Sequence, residues 1–123
     1  MKPTKPYFIE ALYKCISDSG LTPLIIAKSD LLGVRVPKGH DQDGIIVLDI
    51  SHDAVADLDF SARHLSFEAI FDDRPFNVFL PMHAILAIRC AENQVGIDFG
   101  IDEEEDESGS SGSSVKKPDL RVL

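Results

Sequence analysis

The sequence lacks any apolar run long enough to cross a membrane, and it opens without the pattern of a signal peptide. A bilayer-spanning helix needs roughly 20 consecutive apolar residues, and no segment approaches that length. Residues 1–6 lead directly into an amphipathic segment. Cysteine is scarce as well: only Cys15 and Cys90 are present, each in an apolar neighbourhood. This favours two small buried side chains over a disulfide, so we expect a cytoplasmic protein.

Basic residues are too few to balance the acidic ones. The 123-residue chain has a formal net charge of −9. Up to Ile101 there are 14 acidic residues and 9 Lys or Arg residues, a net charge of −5, and from Asp102 onward 7 and 3, a net charge of −4. Proteins gain affinity for nucleic acids by neutralising phosphates, and an anionic membrane surface repels a negative protein. We therefore expect neither nucleic acid nor membrane among the partners.

Motifs for catalysis and for metal binding are missing too. Residues 51–53 read Ser-His-Asp, but neighbours on an extended chain point in opposite directions, and a nucleophile and its base meet through the fold. A turn at the end of a strand explains them better. The histidines show no ligand spacing to one another, to cysteine or to a carboxylate; they are His40, His52, His64 and His83. We expect no enzyme activity, no cofactor and no bound metal.

The first positive signal is an N-terminal helix. Pro6 suits a first helical turn, and Gly20 supplies a stop signal. Between them, apolar residues recur at helical spacing and extend beyond one stripe: Phe8, Ile9, Ala11, Leu12, Tyr13, Cys15 and Ile16. A helix that is apolar on more than one face must bury both faces. One face can cover the domain's own sheet, and the other can meet a second subunit or lie deeper in the same domain.

After Pro23 the pattern changes to short β-rich runs separated by turn residues. The runs are residues 24–27, 34–36, 45–50, 65–71 and 76–80, and residues 85–88 suit either a strand or a short helical turn. Residues 38–44 have the composition of a loop. One helix followed by several short strands predicts an α+β domain over residues 1–101, with a small antiparallel β-barrel or sandwich.

The end of the chain has the composition of a linker and a terminal segment. Residues 102–107 are all acidic, and residues 108–114 contain only serine and glycine. Neither stretch can bury enough apolar surface to offset its conformational entropy. We predict an acidic, flexible linker over residues 102–114. Apolar and basic residues return in residues 115–123, which suits a peptide presented to a partner.

With catalysis unsupported, the remaining function is binding. Extended peptides can pair with exposed strand edges while their side chains enter pockets. The loop at residues 40–44 and the strand at residues 67–71 are candidate walls, although Phe67 and Phe71 also suit the core. The alternative is a small barrel of another binding class, for example an Sm-like RNA binder or another peptide binder. The net charge of −5 argues against RNA.

The chain as a whole resembles the SspB family. The similar segments, in order, are residues 6–7, 21–23, 33–37, 43–48, 67–71, 80–82, 87–93 and 117–122. Residues 67–71, Phe-Glu-Ala-Ile-Phe, look like the family's Phe-Asn-Ala-Arg-Phe strand. The departures are Glu68 and Ile70 in that strand, and His40 where the family commonly carries tyrosine. These positions lie at the expected peptide groove and bear on which tag sequence it prefers.

The resemblance implies a non-enzymatic adaptor with an SspB-like fold that delivers substrates to the ClpXP protease. It implies dimerisation through the N-terminal helix, at Phe8, Ala11, Leu12 and Cys15. The ssrA degradation tag, added to stalled products by trans-translation, would bind at His40, Asp43, Gly44, Phe67, Ala69, Ile70 and Phe71. Residues 115–123 would dock on the N-terminal zinc-binding domain of ClpX through Pro118, Leu120, Arg121, Val122 and Leu123. That zinc belongs to the partner.

Overall fold

One helix precedes seven strands in the computed structural model, which describes residues 1–100. The elements are α1 (Lys5–Asp18), β1 (Pro23–Lys28), β2 (Ile45–Asp49), β3 (Val55–Phe60), β4 (His64–Phe71), β5 (Arg74–Pro81), β6 (Ile85–Cys90) and β7 (Gly96–Asp98). A single 3-10 turn, Met82–Ala84, comes directly before β6. The predicted linker and terminal segment, residues 102–123, lie outside the described residues.

The strands form two antiparallel sheets that do not close into a barrel. One sheet has the order β2-β1-β6-β7 and the other β3-β4-β5. Their inner faces share one core with the helix, which contributes Ile9 and Tyr13. The prediction of an α+β domain is confirmed, with two open sheets rather than a closed barrel.

The ends of α1 follow the sequence signals. Proline occupies the first helical turn, where the N–H that it lacks would have no helical partner. At the other end Gly20 has a φ of 75°, and the amides of Gly20 and Leu21 donate to the carbonyls of Ser17 and Ile16 at 3.0 and 3.1 Å. This pair of bonds is the Schellman ending that favours glycine. The helix then stops where the turn into β1 begins.

Most of the strand predictions are confirmed, and one is wrong. Residues 24–27, 45–50, 65–71 and 76–80 overlap β1, β2, β4 and β5, and only residue 50 lies outside its strand. Residues 34–36 form no strand, because only Arg35 pairs there, with Phe79. Pro37 has no N–H to donate, so the ladder cannot continue past it. Residues 85–88 belong to β6, and a helical turn does occur, immediately before them.

The two strands that the sequence did not predict are β3 and β7. In β3 two acidic residues interrupt the apolar pattern, and the register shifts between Ala56 and Asp59 around Asp57, whose φ is 56°. β7 has three residues and pairs with β6 at Gly96 opposite Arg89. A Cβ at Gly96 would lie 2.7 Å from the Arg89 Cα and would collide with the Ile88 carbonyl oxygen. Glycine is therefore required for β7 to approach β6.

The hairpin of β4 and β5 positions the candidate site. Asp72 and Asp73 form its two-residue turn, with φ values of 52° and 66°. Positive φ at both central residues matches a type I′ turn, whose twist suits antiparallel strands. The register runs from Phe71 opposite Arg74 to His64 opposite Pro81. β4 is the central strand of its sheet, with β3 on one side and β5 on the other.

Candidate functional site

Strand alternation divides the predicted groove residues of β4 between two faces. Phe67 is 3% exposed and belongs to the core. Ala69 and Phe71 point the same way and are partly buried against that core. Ile70 points to the outer face and is 65% exposed. A peptide on the outer face can therefore contact Ile70, while Phe67 has almost no surface to offer.

His40 packs against the tip of the β4–β5 hairpin. Its ring meets the ring of Phe71 edge-on, with centroids 5.2 Å apart. Its Nε2 lies 3.0 Å from Oδ2 of Asp72, within hydrogen-bonding distance. Phe71 in turn meets Phe76 edge-on at 6.3 Å. The structure thus brings together two of the predicted site residues, His40 and Phe71, at the end of the hairpin.

Asp43 and Gly44 have a different setting. They form a tight turn in which the amides of Gln42 and Ile45 donate to each other's carbonyl oxygens at 2.8 and 2.9 Å. Their φ values are 53° and 77°, as a type I′ turn requires. A Cβ at Gly44 would come within 2.9 Å of Oδ2 of Asp30. These two residues shape the loop and lead it into β2.

A shallow groove crosses the outer face of the three-stranded sheet, and we call it the outer groove. It consists of two depressions that share Glu68. One has a volume of about 450 Å³, and its outward-facing lining comes from Arg35, Asp57, Ser66, Glu68, Asn77 and Phe79. The other has a volume of about 320 Å³ and is lined by Asp53, Ala54, Val55, Ala56, Glu68, Ala69 and Ile70. Three predicted site residues line the two depressions, Phe67, Ala69 and Ile70, but of these only Ile70 directs its side chain to the outer face. Glu68 lies between the two halves of the groove.

Backbone pairing limits where a peptide can add a strand. β4 has a neighbour on each side, so it offers side chains but no free edge. On β5, Phe79 exchanges two backbone hydrogen bonds with Arg35, at 2.8 and 3.0 Å. Alternate residues of a strand direct their backbone groups to the same edge, so Asn77 presents its N–H and C=O on the side that Arg35 occupies. A short edge of β5, at Asn77, is therefore open beside Pro37.

The outward face of α1 carries exposed apolar side chains. Tyr7 is 60% and Phe8 49% exposed, and Ala11 and Cys15 follow at helical spacing in exposed positions. Leu12 is partly buried against the core. The prediction that both cysteines are buried holds for Cys90 and is wrong for Cys15, because that side of the helix faces away from the sheets.

Comparison with known proteins gives one consistent family. The family model of Stringent starvation protein B, SspB, matches residues 3–120. The Stringent starvation protein B homolog of Haemophilus influenzae is 35% identical to this chain over 105 residues, which are 85% of this chain and 70% of that protein. This chain belongs to the SspB family. The SspB match covers the exposed helix face, the loop with His40 and the outer groove.

The Ser51-His52-Asp53 motif is a turn in this SspB-family chain. The amide of Ser51 donates to the Asp49 carboxylate at 2.9 Å, and the amide of Ala54 donates to the Ser51 carbonyl at 3.0 Å. The His52 ring approaches Tyr13 instead, with its Nδ1 3.4 Å from the phenol oxygen. The interpretation as a turn at the end of a strand is confirmed.

A second group of these residue types lies at the β3–β4 turn, and the sequence analysis missed it. His64 Nδ1 is 3.0 Å from Oγ of Ser61, and His64 Nε2 is 3.3 Å from Oδ2 of Asp59. However, the Ser61 hydroxyl accepts the amides of Arg63 and His64 at 3.2 and 3.1 Å and donates to the His64 carbonyl at 3.1 Å. Because the backbone of the turn already supplies the hydrogen-bond partners of the Ser61 hydroxyl, we assign Ser61 a structural role.

Glu92 fastens the start of β1 to the β6–β7 connection. Its two carboxylate oxygens accept the amide and the hydroxyl of Thr22 at 2.9 and 2.8 Å. The Thr22 amide, and next the Thr22 hydroxyl, lower the pKa of the Glu92 carboxyl by stabilising its charged form. The Ala91 amide adds a bond to the Thr22 carbonyl at 2.9 Å. This contact holds the turn that follows α1.

Neither a membrane-spanning helix nor a metal-binding group of side chains is found within residues 1–100. No helix there has the length and apolar character to cross a bilayer. No three His, Cys, Asp or Glu side chains in that range are grouped so that they could hold a metal ion.

Proposed function

We propose that this chain is a cytoplasmic adaptor that binds ssrA-tagged polypeptides and delivers them to the ClpXP protease. The observation that carries the proposal is the SspB family match, because it spans residues 3–120 and so includes the folded domain and the first six residues of the terminal segment, 115–120. An adaptor needs one contact for its cargo and another for the protease. The chain offers a distinct region for each.

Cargo binding is assigned to the outer groove and the hairpin tip beside it. An extended peptide can lie across a sheet face while its side chains occupy depressions. The outer groove provides two such depressions, and Ile70 provides exposed apolar surface in one of them. His40 and Phe71 pack against each other at the hairpin tip. Phe67 acts from below, by fixing β4 in the core.

Self-association is assigned to the outward face of α1. Phe8, Ala11 and Cys15 are exposed there, and Leu12 lies at its border. Two copies of this face would remove exposed aromatic and aliphatic surface from water, which is the main driving force for association. A homodimer would present two cargo sites to one protease.

Protease docking is assigned to Pro118, Leu120, Arg121, Val122 and Leu123, on the basis of sequence, because these residues lie outside the described part of the chain. Their target would be the N-terminal zinc-binding domain of ClpX. Residues 102–114 would act as the tether, and a flexible chain of this length spans roughly 20 Å root-mean-square. Such a tether holds its cargo at an effective concentration of about 1 mM, so even a weak terminal contact can speed delivery.

The outer groove does not favour the alternative of an RNA-binding barrel. An RNA site combines basic side chains with aromatic stacking platforms. Arg35 is the one basic residue among those that line the outer groove, and it is accompanied by three carboxylates. We therefore assign the groove to peptide.

The proposal is tested by removing residues 115–123 and measuring both halves of the activity. Tag-peptide affinity, measured by fluorescence anisotropy, should equal that of the parent. Degradation of a tagged substrate by ClpXP should lose its stimulation. A variant with the same nine residues in scrambled order controls for length and composition. If the truncated protein stimulates degradation as the parent does, or if the parent binds no tag peptide, the proposed mechanism is wrong.

A further inference from the structure

Two adjoining depressions lie between the first residues of the chain and the β3–β4 turn, and together we call them the N-terminal cleft. Their volumes are about 490 and 400 Å³, within the range of about 300–1,000 Å³ that is usual for ligand sites. Lys2 and Ala62 line both depressions, and Arg63 and Glu10 line the larger one. The N-terminal cleft shares no lining residue with the outer groove, so it is a separate surface.

Lys2 and Arg63, two basic residues that line the N-terminal cleft, form no ion pair within residues 1–100. Both side chains are exposed. Among the same residues, Glu10 is the one acidic residue that lines the cleft. Its Oε2 lies 3.8 Å from the Nζ of Lys14, so Glu10 pairs along the helix instead. The positive charges of the cleft therefore favour an anionic occupant.

The described part of the chain ends beside this cleft. After β7, the amide of Phe99 donates to the Leu86 carbonyl at 2.7 Å, and the Phe99 ring packs against the core. The Nζ of Lys5, which lines the smaller depression, lies 5.4 Å from the centre of that ring. Residues 102–107 are all acidic and begin three positions after Phe99. A fully extended chain places the first of them within roughly 11 Å of the Phe99 Cα.

We propose that the N-terminal cleft binds this chain's own acidic run, residues 102–107. Two independent observations identify this occupant. Its charge is opposite to that of Lys2 and Arg63, and Phe99, from which it continues, lies beside the cleft. The contact forms within one chain, at an effective concentration of about 1 mM or more, so several ion pairs that are individually weak are enough to hold the run.

The contact goes beyond the proposed function and bears on the reach of the proposed tether. With residues 102–107 on the domain, the free part of the tether is residues 108–114. Seven flexible residues span roughly 15 Å root-mean-square, in place of roughly 20 Å for the whole linker. Because the ion pairs are exposed, salt screens them and restores the longer reach.

The test compares NMR spectra of the isotope-labelled full chain and of a variant in which each acidic residue of the run becomes the corresponding amide. The changes are Asp102→Asn, Glu103→Gln, Glu104→Gln, Glu105→Gln, Asp106→Asn and Glu107→Gln. At low salt, the backbone amide signals of Lys2, Ala62 and Arg63 should differ between the two proteins. Those of Val47 and Ile70, outside the cleft, should coincide. In about 0.5 M salt the differences should fall to about a third or less, because screening weakens exposed ion pairs.

Substitutions on the other side of the contact assign it to the cleft. Lys2→Gln combined with Arg63→Gln should shift the signals of residues 102–107. Lys38→Gln combined with Arg74→Gln removes the same charge from exposed positions outside the cleft and should leave those signals in place. Thermal unfolding of each variant checks that the fold is retained.

A mixing experiment shows which copy of the chain supplies the run. The isotope-labelled amide variant is equilibrated with an excess of unlabelled parent protein. Cleft signals that stay at the positions of the variant support a contact within one chain. Cleft signals that return to the parent positions would assign the cleft to the run of a second copy and overturn the inference.

The other outcomes separate this inference from the proposed function. Cleft signals that coincide in the parent and the amide variant at low salt, or equal shifts from the two Lys and Arg double variants, overturn the inference. The proposed function stands in each of these cases, since tag binding is assigned to the outer groove and a tether can deliver cargo whether or not its first residues are held. A parent protein that binds no tag peptide contradicts the proposed function and leaves the cleft contact standing.

Discussion

His40 and Asp72 join two parts of the chain that are 32 residues apart, with Nε2 and Oδ2 separated by 3.0 Å. Arg35 makes the other attachment of the same loop, through its two backbone bonds to Phe79. The loop is therefore attached at two points: at Arg35 to β5, and at His40 to the turn of the β4–β5 hairpin. A side chain in the loop can influence the proposed cargo binding because the loop lies against these strands.

Replacing Ile70 with aspartate should weaken tag-peptide binding while leaving the fold intact. Ile70 is 65% exposed, so the folded state tolerates a charge there, but a peptide on the outer groove would lose an apolar contact. We expect a loss of about tenfold or more in affinity, which is about 1.4 kcal/mol. Val47→Asp is the matched control, because Val47 is 56% exposed on the other sheet. Fluorescence anisotropy measures both, and equal losses would move the site away from Ile70.

Replacing Ala11 with glutamate should convert a dimer into a monomer. The new carboxylate would lie within the proposed interface, where an unpaired buried charge costs roughly several kcal/mol. Leu32→Glu places the same charge at a loop residue that is 93% exposed and should leave the dimer unchanged. Sedimentation velocity at micromolar concentration gives the result. A parent protein that sediments as a monomer contradicts the proposed interface.

Replacing Phe67 with alanine should destabilise the domain strongly. Phe67 is 3% exposed, and emptying such a site typically costs about 3–5 kcal/mol. Ile70→Ala, on the opposite face of the same strand, should change stability by about 0.5 kcal/mol or less. Urea unfolding followed by circular dichroism measures both. A small effect at Phe67 would show that its contribution lies in binding rather than in packing.

The Glu92 contact should make stability depend on pH. Thr22 lowers the pKa of Glu92 in the folded state, so the contact contributes fully above the ordinary carboxyl value of about 4.5 and is lost as the pH falls through the lower folded-state value. Glu92→Gln should therefore be less stable than the parent at neutral pH, and the difference should shrink in acid. Urea unfolding at several pH values measures it. In a double-mutant cycle, Thr22→Val should add little to Glu92→Gln; full additivity would show that the two residues act independently.

Much of the fold could be predicted from local pattern. β1, β2, β4 and β5 carry apolar runs or strict alternation, and Gly20 marks the end of the helix. β3 was missed because a bulge at Asp57 breaks its alternation, and β7 because three residues around Gly96 give no periodic signal. Residues 34–36 have strand composition, but only Arg35 pairs, and Pro37 has no N–H with which to extend the ladder.

The site was less predictable because its walls come from separate strands. Alternation along β4 already implies that Ala69 and Ile70 face opposite ways. The outer groove, however, combines β3, β4, β5 and Arg35, and only the register between them places Asp57 and Glu68 in one depression. The contact of His40 with Phe71 likewise depends on tertiary packing of the loop. No periodicity in the sequence carries that information.

Gly96 bears on the length of the proposed tether. β7 is the last strand within residues 1–100, and it can approach β6 only because residue 96 has no side chain to collide with the β6 backbone. A larger residue at position 96 would prevent β7 from pairing with β6, and residues 96–98 would then lengthen the proposed tether. In the proposed adaptor, the close approach of β7 to β6 would therefore set the position at which the tether begins.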